Sequence, residues 1–360
     1  MPSWNLDSVE EAFAEAALDP TLWVKALESA SIATQSFGAL LIPMAGGALP
    51  TLPFTESITE SFETYFREGW HLRDERMRGA TAMIQRGVVT DLDLFDAETI
   101  TRHPYYQEFL APHRLRWFAG INMSCSNESW CLSIQRTIDQ EPFSASEKAE
   151  LALLSTRLSA SVATARAFGA AAADGALEAF DVSGTAVVLI NRYGRIFLAN
   201  QSALQLLVGD VQIKQGRLEV KDERAQALLN AAINDLLRRQ AGGLSAPIAL
   251  PRTGRNPLLA YPVRPARIAA NALADCQAMI MLIDPDTVRT PPEETLRRVF
   301  RLTKAEARLG SQLALGESLE TVSERLGISK ETSRSQLKSI FAKTRINRQS
   351  ALVAMLSALL

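Results

Sequence analysis

From Thr303 to Lys343 the chain reads TKAEARLGSQLALGESLETVSERLGISKETSRSQLKSIFAK. This stretch contains three helix starts. Thr303 and Glu306 form a capping box, and Ser318 and Ser329 each stand where a side-chain oxygen can cap the next helix. The pattern predicts three short helices in close succession.

The second and third of these helices are joined by a tight turn. Gly327 suits the left-handed conformation that ends a helix over Leu319–Leu326, and Ile328 closes the turn before a helix over Lys330–Lys343. Two short helices joined in this way predict a helix-turn-helix, whose second helix fits the major groove of DNA. The alternative is a helical hairpin that serves only protein contacts.

One face of the predicted third helix carries the candidate base-contacting residues. Arg334, Ser335 and Lys338 lie at i, i+1 and i+4, roughly opposite the apolar face. Arg334 can donate two hydrogen bonds to a guanine, and Lys338 can reach a guanine or a phosphate. The residues placed for contacts with the DNA backbone are Ser329, Lys330, Thr332, Lys343 and Arg348.

Charge is unevenly distributed along the chain. Residues 296–360 contain twelve Lys and Arg against five Asp and Glu, whereas the whole chain has a net charge of −2. The preceding body is therefore acidic. Residues 286–295, with prolines at 291 and 292, are predicted to be the linker. A basic tail on an acidic body is typical of a polyanion-binding module joined to a control region, and a solvated helical surface is the alternative.

Residues 296–360 are predicted to form one domain, and from Leu302 to about Met355 it resembles the DNA-binding domain of the LuxR/FixJ family of transcriptional regulators. The matching residues are Leu302-Thr303, Glu306, Gly316, Ser318, Leu326-Gly327-Ile328-Ser329, Thr332, Leu337, Ile340, Lys343 and Arg348. The resemblance implies an all-α four-helix domain with a helix-turn-helix, in which Arg334, Ser335 and Lys338 touch bases. Ser333 stands where the family usually has valine, and Gln336 where it often has histidine.

The resemblance also implies partners. The first is double-stranded DNA, and RNA polymerase is a further candidate. In the family the last helix often pairs two subunits. Here that helix is predicted over Arg348–Leu360, capped by Asn347, with Leu359 and Leu360 among its packing residues. We therefore expect a homodimer, which would place two recognition helices on two half-sites.

Residues 1–143 are predicted to form an α+β sensor domain. Strands are expected at Gly38–Met44, Arg116–Met123 and Ser129–Arg136, with helices over Glu56–Gly69 and Thr99–Leu110 between them. The order of these elements resembles GAF-type sensor domains. Phosphorylation as the switch is not expected, because the early acidic cluster and strand-ending aspartate of a receiver domain are missing.

The sensor domain also resembles the autoinducer-binding domain of LuxR proteins at Tyr65, Trp70 and Asp74. In that family the aspartate accepts a hydrogen bond from an amide of the signal, so these three residues are candidate contacts for a small-molecule signal. Ser61 stands where an aromatic residue is expected, and Glu75 where proline is expected. The alternative is that Tyr65 and Trp70 are core aromatics and Asp74 is a cap or a surface ion-pair partner.

Residues 144–176 are predicted to form a long connecting helix. Ser144 and Glu147 make a capping box at its start, and an apolar stripe begins at Leu151 and ends at Phe168. The stripe fits either a coiled coil or packing on the same domain. The alanine-rich run after Gly169 and the Asp174-Gly175 pair indicate a fraying end.

Residues 177–285 resemble a PAS domain with a five-stranded antiparallel sheet. Predicted strands cover Val187–Ile190, Ile196–Ala199, Ser245–Leu250, Leu258–Val263 and Ala278–Ile283. Asn191-Arg192-Tyr193-Gly194 is predicted to turn a hairpin, and a helix over Glu223–Arg239 to direct Leu228 and Leu229 inward. This block contains no histidine and no flavin-binding cysteine motif, so no cofactor is expected and its role is dimerisation or relay.

Composition and the absence of known motifs argue against several other classes of protein. The three cysteines form no pairable framework, and the three histidines are too widely spread for a metal site. No apolar stretch reaches the roughly 18 residues of a membrane span and no signal peptide is recognisable, so we expect a cytoplasmic protein with no membrane partner. No serine elbow, P-loop or zinc signature is present, and an enzyme is not expected.

Overall fold

The computed structural model describes residues 4–44, 52–126, 128–238, 243–265, 271–287 and 290–357. The chain divides into two compact units, Met1–Ile283 and Asp284–Leu360. It is a mixed α/β structure with antiparallel sheets and a helical C-terminal unit. The predicted sensor, long helix and PAS-like block all fall in the first unit, and their separation into domains stays a prediction.

The N-terminal part of the first unit is a four-stranded antiparallel sheet with helices on both faces. Its strands are β1 (Gly38–Pro43), β2 (Val88–Thr90), β3 (Leu115–Cys125) and β4 (Glu128–Thr137), in the order β1-β4-β3-β2. Its helices are α1 (Asp7–Leu18), α2 (Trp23–Ala33), α3 (Thr59–Arg67), α4 (Ala80–Arg86), α5 (Asp91–Leu94) and α6 (Ala97–Arg102). Strand β2 and helices α4 and α5 were not predicted from the sequence.

The helix predicted over Thr99–Leu110 is two pieces. Helix α6 ends at Arg102, and a wider helical turn follows over Tyr105–Leu110. The break lies at His103, which has the extended conformation (φ −73°, ψ 132°) that a residue before proline favours. Pro104 is therefore the reason for the correction.

The long helix α7 extends over Ala145–Val182, past the end predicted at residue 176. Its predicted capping box between Ser144 and Glu147 is present. The helix does not fray after Gly169, because Ala173 and Leu177 are buried against the second sheet of the same unit. Its apolar stripe packs on α1 and β3, so the stripe belongs to the core of its own domain and Phe168 is left 55% exposed.

The second sheet of the first unit is antiparallel. Its strands are β5 (Ala186–Ile190), β6 (Ile196–Ala199), β9 (Gly243–Leu244), β10 (Ile248–Arg252), β11 (Arg255–Arg264) and β12 (Ala278–Ile283), in the order β10-β11-β12-β5-β6 with β9 beside β11. β7 (Val211–Lys214) and β8 (Arg217–Val220) form a separate hairpin. The five predicted strands lie in this sheet, and β9 and the β7–β8 hairpin are additions to them.

Two helices accompany this sheet. They are α8 (Gln201–Leu206) and α9 (Glu223–Arg238). The predicted turn at Asn191–Gly194 joins β5 to β6, and Gly194 supplies its positive φ of 70°. Leu229 of α9 is buried as predicted. Its neighbour Leu228 is 61% exposed, because successive side chains of a helix point about 100° apart.

The second unit is helical throughout its described residues. Its helices are α10 (Glu293–Phe300), α11 (Lys304–Leu313), α12 (Leu319–Leu326), α13 (Lys330–Thr344) and α14 (Gln349–Ser357). Helix α10 begins in the predicted linker, at Glu293, extends into the predicted four-helix domain and makes a fifth helix. It forms because Glu293 and Glu294 suit a first turn and Glu294 pairs with Arg297 and Arg298. Leu359 and Leu360 lie outside the described residues.

The helix ends of the second unit follow the sequence signals. Thr303 and Glu306 form the capping box of α11, and the side chains of Ser318 and Ser329 cap α12 and α13. Gly327 ends α12 with a φ of 65°. One core, which includes Leu296, Leu309, Val322, Ile340 and Leu352, joins the five helices.

Candidate functional site

Helix α13 presents opposite faces to the core and to solvent. Ser333, Leu337 and Ile340 are buried, whereas Arg334, Ser335 and Lys338 are exposed. Within the described residues, neither Arg334 nor Lys338 makes a hydrogen bond or an ion pair. The predicted base-contacting residues therefore share one solvent face, and two of them carry free positive charge.

Ser333, the departure from the family pattern, is accommodated in this arrangement. Its side chain is 1% exposed, and its hydroxyl donates to the carbonyl oxygen of Lys330 at 3.0 Å. A buried hydroxyl without a partner would destabilise the helix, but this one is satisfied within its own turn. Gln336 is half-buried beside the exposed face.

The predicted backbone contacts divide into two groups. Ser329, Thr332 and Arg348 are exposed, and the Ser329 and Thr332 hydroxyl oxygens lie 2.8 Å apart at the start of α13. The two lysines already have partners. The ammonium of Lys330 lies 2.8 Å from a carboxylate oxygen of Glu320, and that of Lys343 lies 2.6 Å from Glu306. Each lysine would have to exchange its partner to contact a phosphate.

Glu306 does more than its predicted capping. Its carboxylate accepts hydrogen bonds from the backbone N–H of Thr303, the hydroxyl of Ser339 and the ammonium of Lys343, at 2.5 to 2.6 Å. These donors lower the pKa of Glu306 to about 2, against the opposing effect of burial. Glu306 thereby fixes α13 against the start of α11, a role that the capping motif alone did not reveal.

The first unit contains a cavity of about 90 Å³ between the sheet and the helices on one of its faces. Cys131, Ser133 and Gln135 of β4 form part of its wall, because alternate residues of a strand share a face. Their neighbours Leu132 and Ile134 belong to the main core on the opposite face. Most of the remaining wall is apolar and includes Phe62, Met83, Phe109 and Phe118.

The three predicted signal contacts differ in their placement. Tyr65 and Asp74 both line the cavity, and the Tyr65 hydroxyl donates to Asp74 at 2.7 Å. Burial and the Asp74 carboxylate raise the pKa of Tyr65, so its hydroxyl stays protonated. Trp70 does not line the cavity. Its ring stacks on Phe109 with 5.5 Å between centroids, in the core cluster behind the cavity wall.

One departure from the autoinducer-domain pattern, Ser61, and one matching residue, Asp74, both lie at the cavity. Ser61 lines the cavity at the position where the family has an aromatic residue. Asp74 also caps the helical turn after it, because its carboxylate accepts from the backbone N–H of Arg76 at 2.8 Å. Asp74 therefore caps a helical turn, as the alternative interpretation expected, and lines the cavity at the same time.

Sequence reasoning missed a buried ion pair at the cavity. The Nε of Arg76 donates to Asp91 at 2.9 Å, and the two side chains are only 7% and 1% exposed. Asp91 also accepts from the Tyr106 hydroxyl at 2.6 Å and from the backbone N–H of Phe118 at 2.5 Å. The charge of Arg76 is therefore compensated inside the protein.

Arg76 also orients a second hydrogen-bond chain along the wall. It donates through Nη1 to the Gln135 side-chain oxygen at 3.0 Å, and the Gln135 amide then donates to the Ser133 hydroxyl oxygen at 2.8 Å. In the described part of the chain, the hydroxyl hydrogen of Ser133 has no acceptor. The cavity wall thus offers a donor at Ser133 and a carboxylate acceptor at Asp74.

Cys131 completes the wall as a neutral thiol. Burial raises its pKa to about 12. Across the residues with described coordinates, His, Cys, Asp and Glu side chains form no group of three or more that could hold a metal ion. None of the helices described is both long and apolar enough to cross a membrane.

Comparisons with known proteins give only distant structural likeness. No protein-family model and no curated protein matches this chain. The VqsR ligand-binding domain from Pseudomonas aeruginosa is 17% identical with a TM-score of 0.33, over 44% of this chain and 94% of that one. A phage VqmA–DPO complex is 14% identical with a TM-score of 0.24, over 51% and 86%.

A third structure, the Escherichia coli DhaR(N)–DhaL complex, is 11% identical with a TM-score of 0.24, over 77% of this chain and 86% of that one. All three TM-scores lie below 0.5. These likenesses therefore carry no argument about function.

Proposed function

We propose that this protein is a sequence-specific DNA-binding transcriptional regulator, in which α13 reads the major groove of double-stranded DNA. The observation that carries the proposal is the pair of exposed side chains Arg334 and Lys338, which have no hydrogen-bond or ion-pair partner among the described residues, on a helix whose other face is anchored in a core. Guanidinium and ammonium groups held in this way can reach base edges without breaking an existing ion pair.

The test is DNA binding by the full chain. Duplexes are selected from a random library, and affinities are measured by fluorescence anisotropy. Arg334→Ala is expected to reduce discrimination at one base pair by about 1–3 kcal/mol. The matched control is Arg298→Ala, which removes an exposed arginine of α10 that pairs with Glu294. If no duplex is preferred over random competitor, the proposal is wrong.

A second candidate function is a scaffold that binds a protein partner through the same basic unit. Salt dependence separates the two, because each phosphate contact lowers the logarithm of affinity by about 0.9 per tenfold increase in salt. Since Lys330 and Lys343 are already paired, Arg348 and Lys338 are the cations that we expect to contribute most to this slope.

We further propose that the cavity of the first unit binds the signal. The donor at Ser133 and the acceptor at Asp74 favour a small, mainly apolar molecule with neighbouring N–H and C=O groups, as the family's amide contact implies. A strong acid is disfavoured, because Asp91 already compensates the charge of Arg76. Ligand screening by thermal shift tests this: Asp74→Asn and Ser133→Ala are expected to abolish a stabilisation that Glu75→Gln retains.

The proposed regulator is a cytoplasmic homodimer with a PAS-like relay. The strand order in the sheet is β6-β5-β12-β11-β10. The strands β5 and β6 come first in the sequence and pair with each other, and β10, β11 and β12 then fold back so that β12 lies beside β5. This order supports the PAS resemblance. Dimerisation would bring two α13 helices to two half-sites, and RNA polymerase stays a candidate partner. A strict monomer in analytical ultracentrifugation, with and without DNA, would contradict the dimer.

A further inference from the structure

Strand β4 extends from the cavity wall to a junction with the second half of the first unit. Cys131, Ser133 and Gln135 face the cavity, and Trp130 lies directly beside Cys131 in the main core, 1% exposed. The guanidinium carbon of Arg192 lies 4.4 Å from the centroid of the Trp130 ring. Arg192 belongs to the turn between β5 and β6, so this cation–π contact joins the two sheets.

Arg192 is also the anchor for residues 271–277, the segment before β12. Its guanidinium donates to the carbonyl oxygens of Ala272 at 3.0 Å and Ala274 at 3.1 Å. The side chain is 5% exposed, and burial lowers its pKa. The carboxylates of Glu128 and Asp275 also stabilise this buried cation, so its charge depends on groups of β4 and of the segment before β12 together.

The long helix α7 makes the third side of this junction. Arg166 forms ion pairs with Glu128 at the start of β4 and with Asp275, the latter at 3.1 Å. The amide of Asn271 donates to the backbone carbonyl of Ala165 at 3.0 Å. Gly169 allows the close approach, since a Cβ placed there would lie 2.5 Å from the Cβ of Ala274.

We propose that these contacts form a coupling joint through which the state of the cavity wall is transmitted to residues 271–283. The joint is a continuous path of packing, hydrogen bonds and ion pairs from β4 to β12, which is the kind of path that carries energetic coupling. Strand β12 ends at Ile283, and the second compact unit begins at the next residue. The proposal rests on the proposed role of the cavity as the signal site.

Coupling is reciprocal, so a change at the joint is transmitted to the cavity wall as well. The test is hydrogen–deuterium exchange on the full chain carrying Gly169→Ala, which overpacks the contact with Ala274. Amides of 271–283 and of 129–135 are expected to exchange together about tenfold faster, the effect expected of an overpacked contact. The matched control is Gly175→Ala on the same helix, where an added Cβ meets nothing within 4 Å.

A second variant, Arg192→Lys, retains the charge but loses the forked hydrogen bonds, and it is expected to give the same joint acceleration. Acceleration confined to 271–277 in either variant, with 129–135 at the rate of the control, would overturn the proposal. So would exchange equal to that of Gly175→Ala throughout. The assay needs neither DNA nor a ligand. The proposal of a coupling joint can therefore be wrong while the proposals of DNA binding and signal binding are right, and it can be right while they are wrong.

Discussion

Replacing Glu306 by glutamine should loosen the packing of helix α13 against the start of α11. The carboxylate is 6% exposed and accepts hydrogen bonds from Thr303, Ser339 and Lys343. Glutamine keeps one oxygen for Thr303 and Lys343, but its amide nitrogen cannot accept from the hydroxyl of Ser339, and Lys343 would lose its counter-charge. A pKa lowered from 4.5 to about 2 corresponds to about 3 kcal/mol of stabilisation.

The assay is hydrogen–deuterium exchange at the amides of α11 and α13 in the full chain. For Glu306→Gln at neutral pH we expect a loss of protection on the order of 2–3 kcal/mol, since neighbouring contacts compensate in part. The control is Glu320→Gln, which removes the exposed partner of Lys330 and is expected to change protection much less, because the pair is surrounded by solvent. Equal losses in the two variants would refute the argument.

The pH dependence has a definite sign. Because the folded pKa of Glu306 is depressed, its stabilisation is present above about pH 4.5 and is lost as the pH falls towards 2. The difference in protection between wild type and Glu306→Gln should therefore shrink over this window. A difference that is constant from pH 6 to pH 3 would show that the carboxylate's charge is not the cause.

Two further predictions concern the backbone and the buried pair. Gly327→Ala should destabilise the second unit by roughly 1–2 kcal/mol, because the φ of 65° disfavours a side chain even where an added Cβ has open space. Hydrogen exchange of α12 measures this loss. A loss no larger than in Gly175→Ala would contradict the prediction. Arg76→Met should destabilise the first unit by about 3–5 kcal/mol, because the buried Asp91 loses its counter-charge. Urea unfolding followed by tryptophan fluorescence tests this. Unfolding at the wild-type urea midpoint would contradict it.

Local signals explain why much of the second unit could be predicted from the sequence. The caps at Thr303, Ser318 and Ser329 and the glycine at 327 act on neighbouring residues, so their consequences are written within a few positions. The same holds for the capping box of α7. The extra helix α10 was missed because Pro291 and Pro292 signalled a linker, although proline is tolerated at a helix start.

The cavity depended on contacts that no local pattern encodes. Arg76 meets Asp91 and Gln135, which are 15 and 59 positions away. Tyr65 and Asp74, two of the three predicted signal contacts, line the cavity, whereas Trp70 belongs to the core behind it, and their role in signal binding stays a prediction. The far end of α7 was misjudged for the same reason, since its stability comes from Leu177 against a distant sheet and not from its own alanines and glycines.

Helix α7 has a mechanical consequence. Its 38 residues form a rod about 57 Å long, with Leu151 and Leu158 embedded in one core and Ala173 and Leu177 in another. Such a helix cannot shift or rotate in one core without being displaced in the other. The two halves of the first unit are thus expected to melt in a single step, as one thermodynamic body.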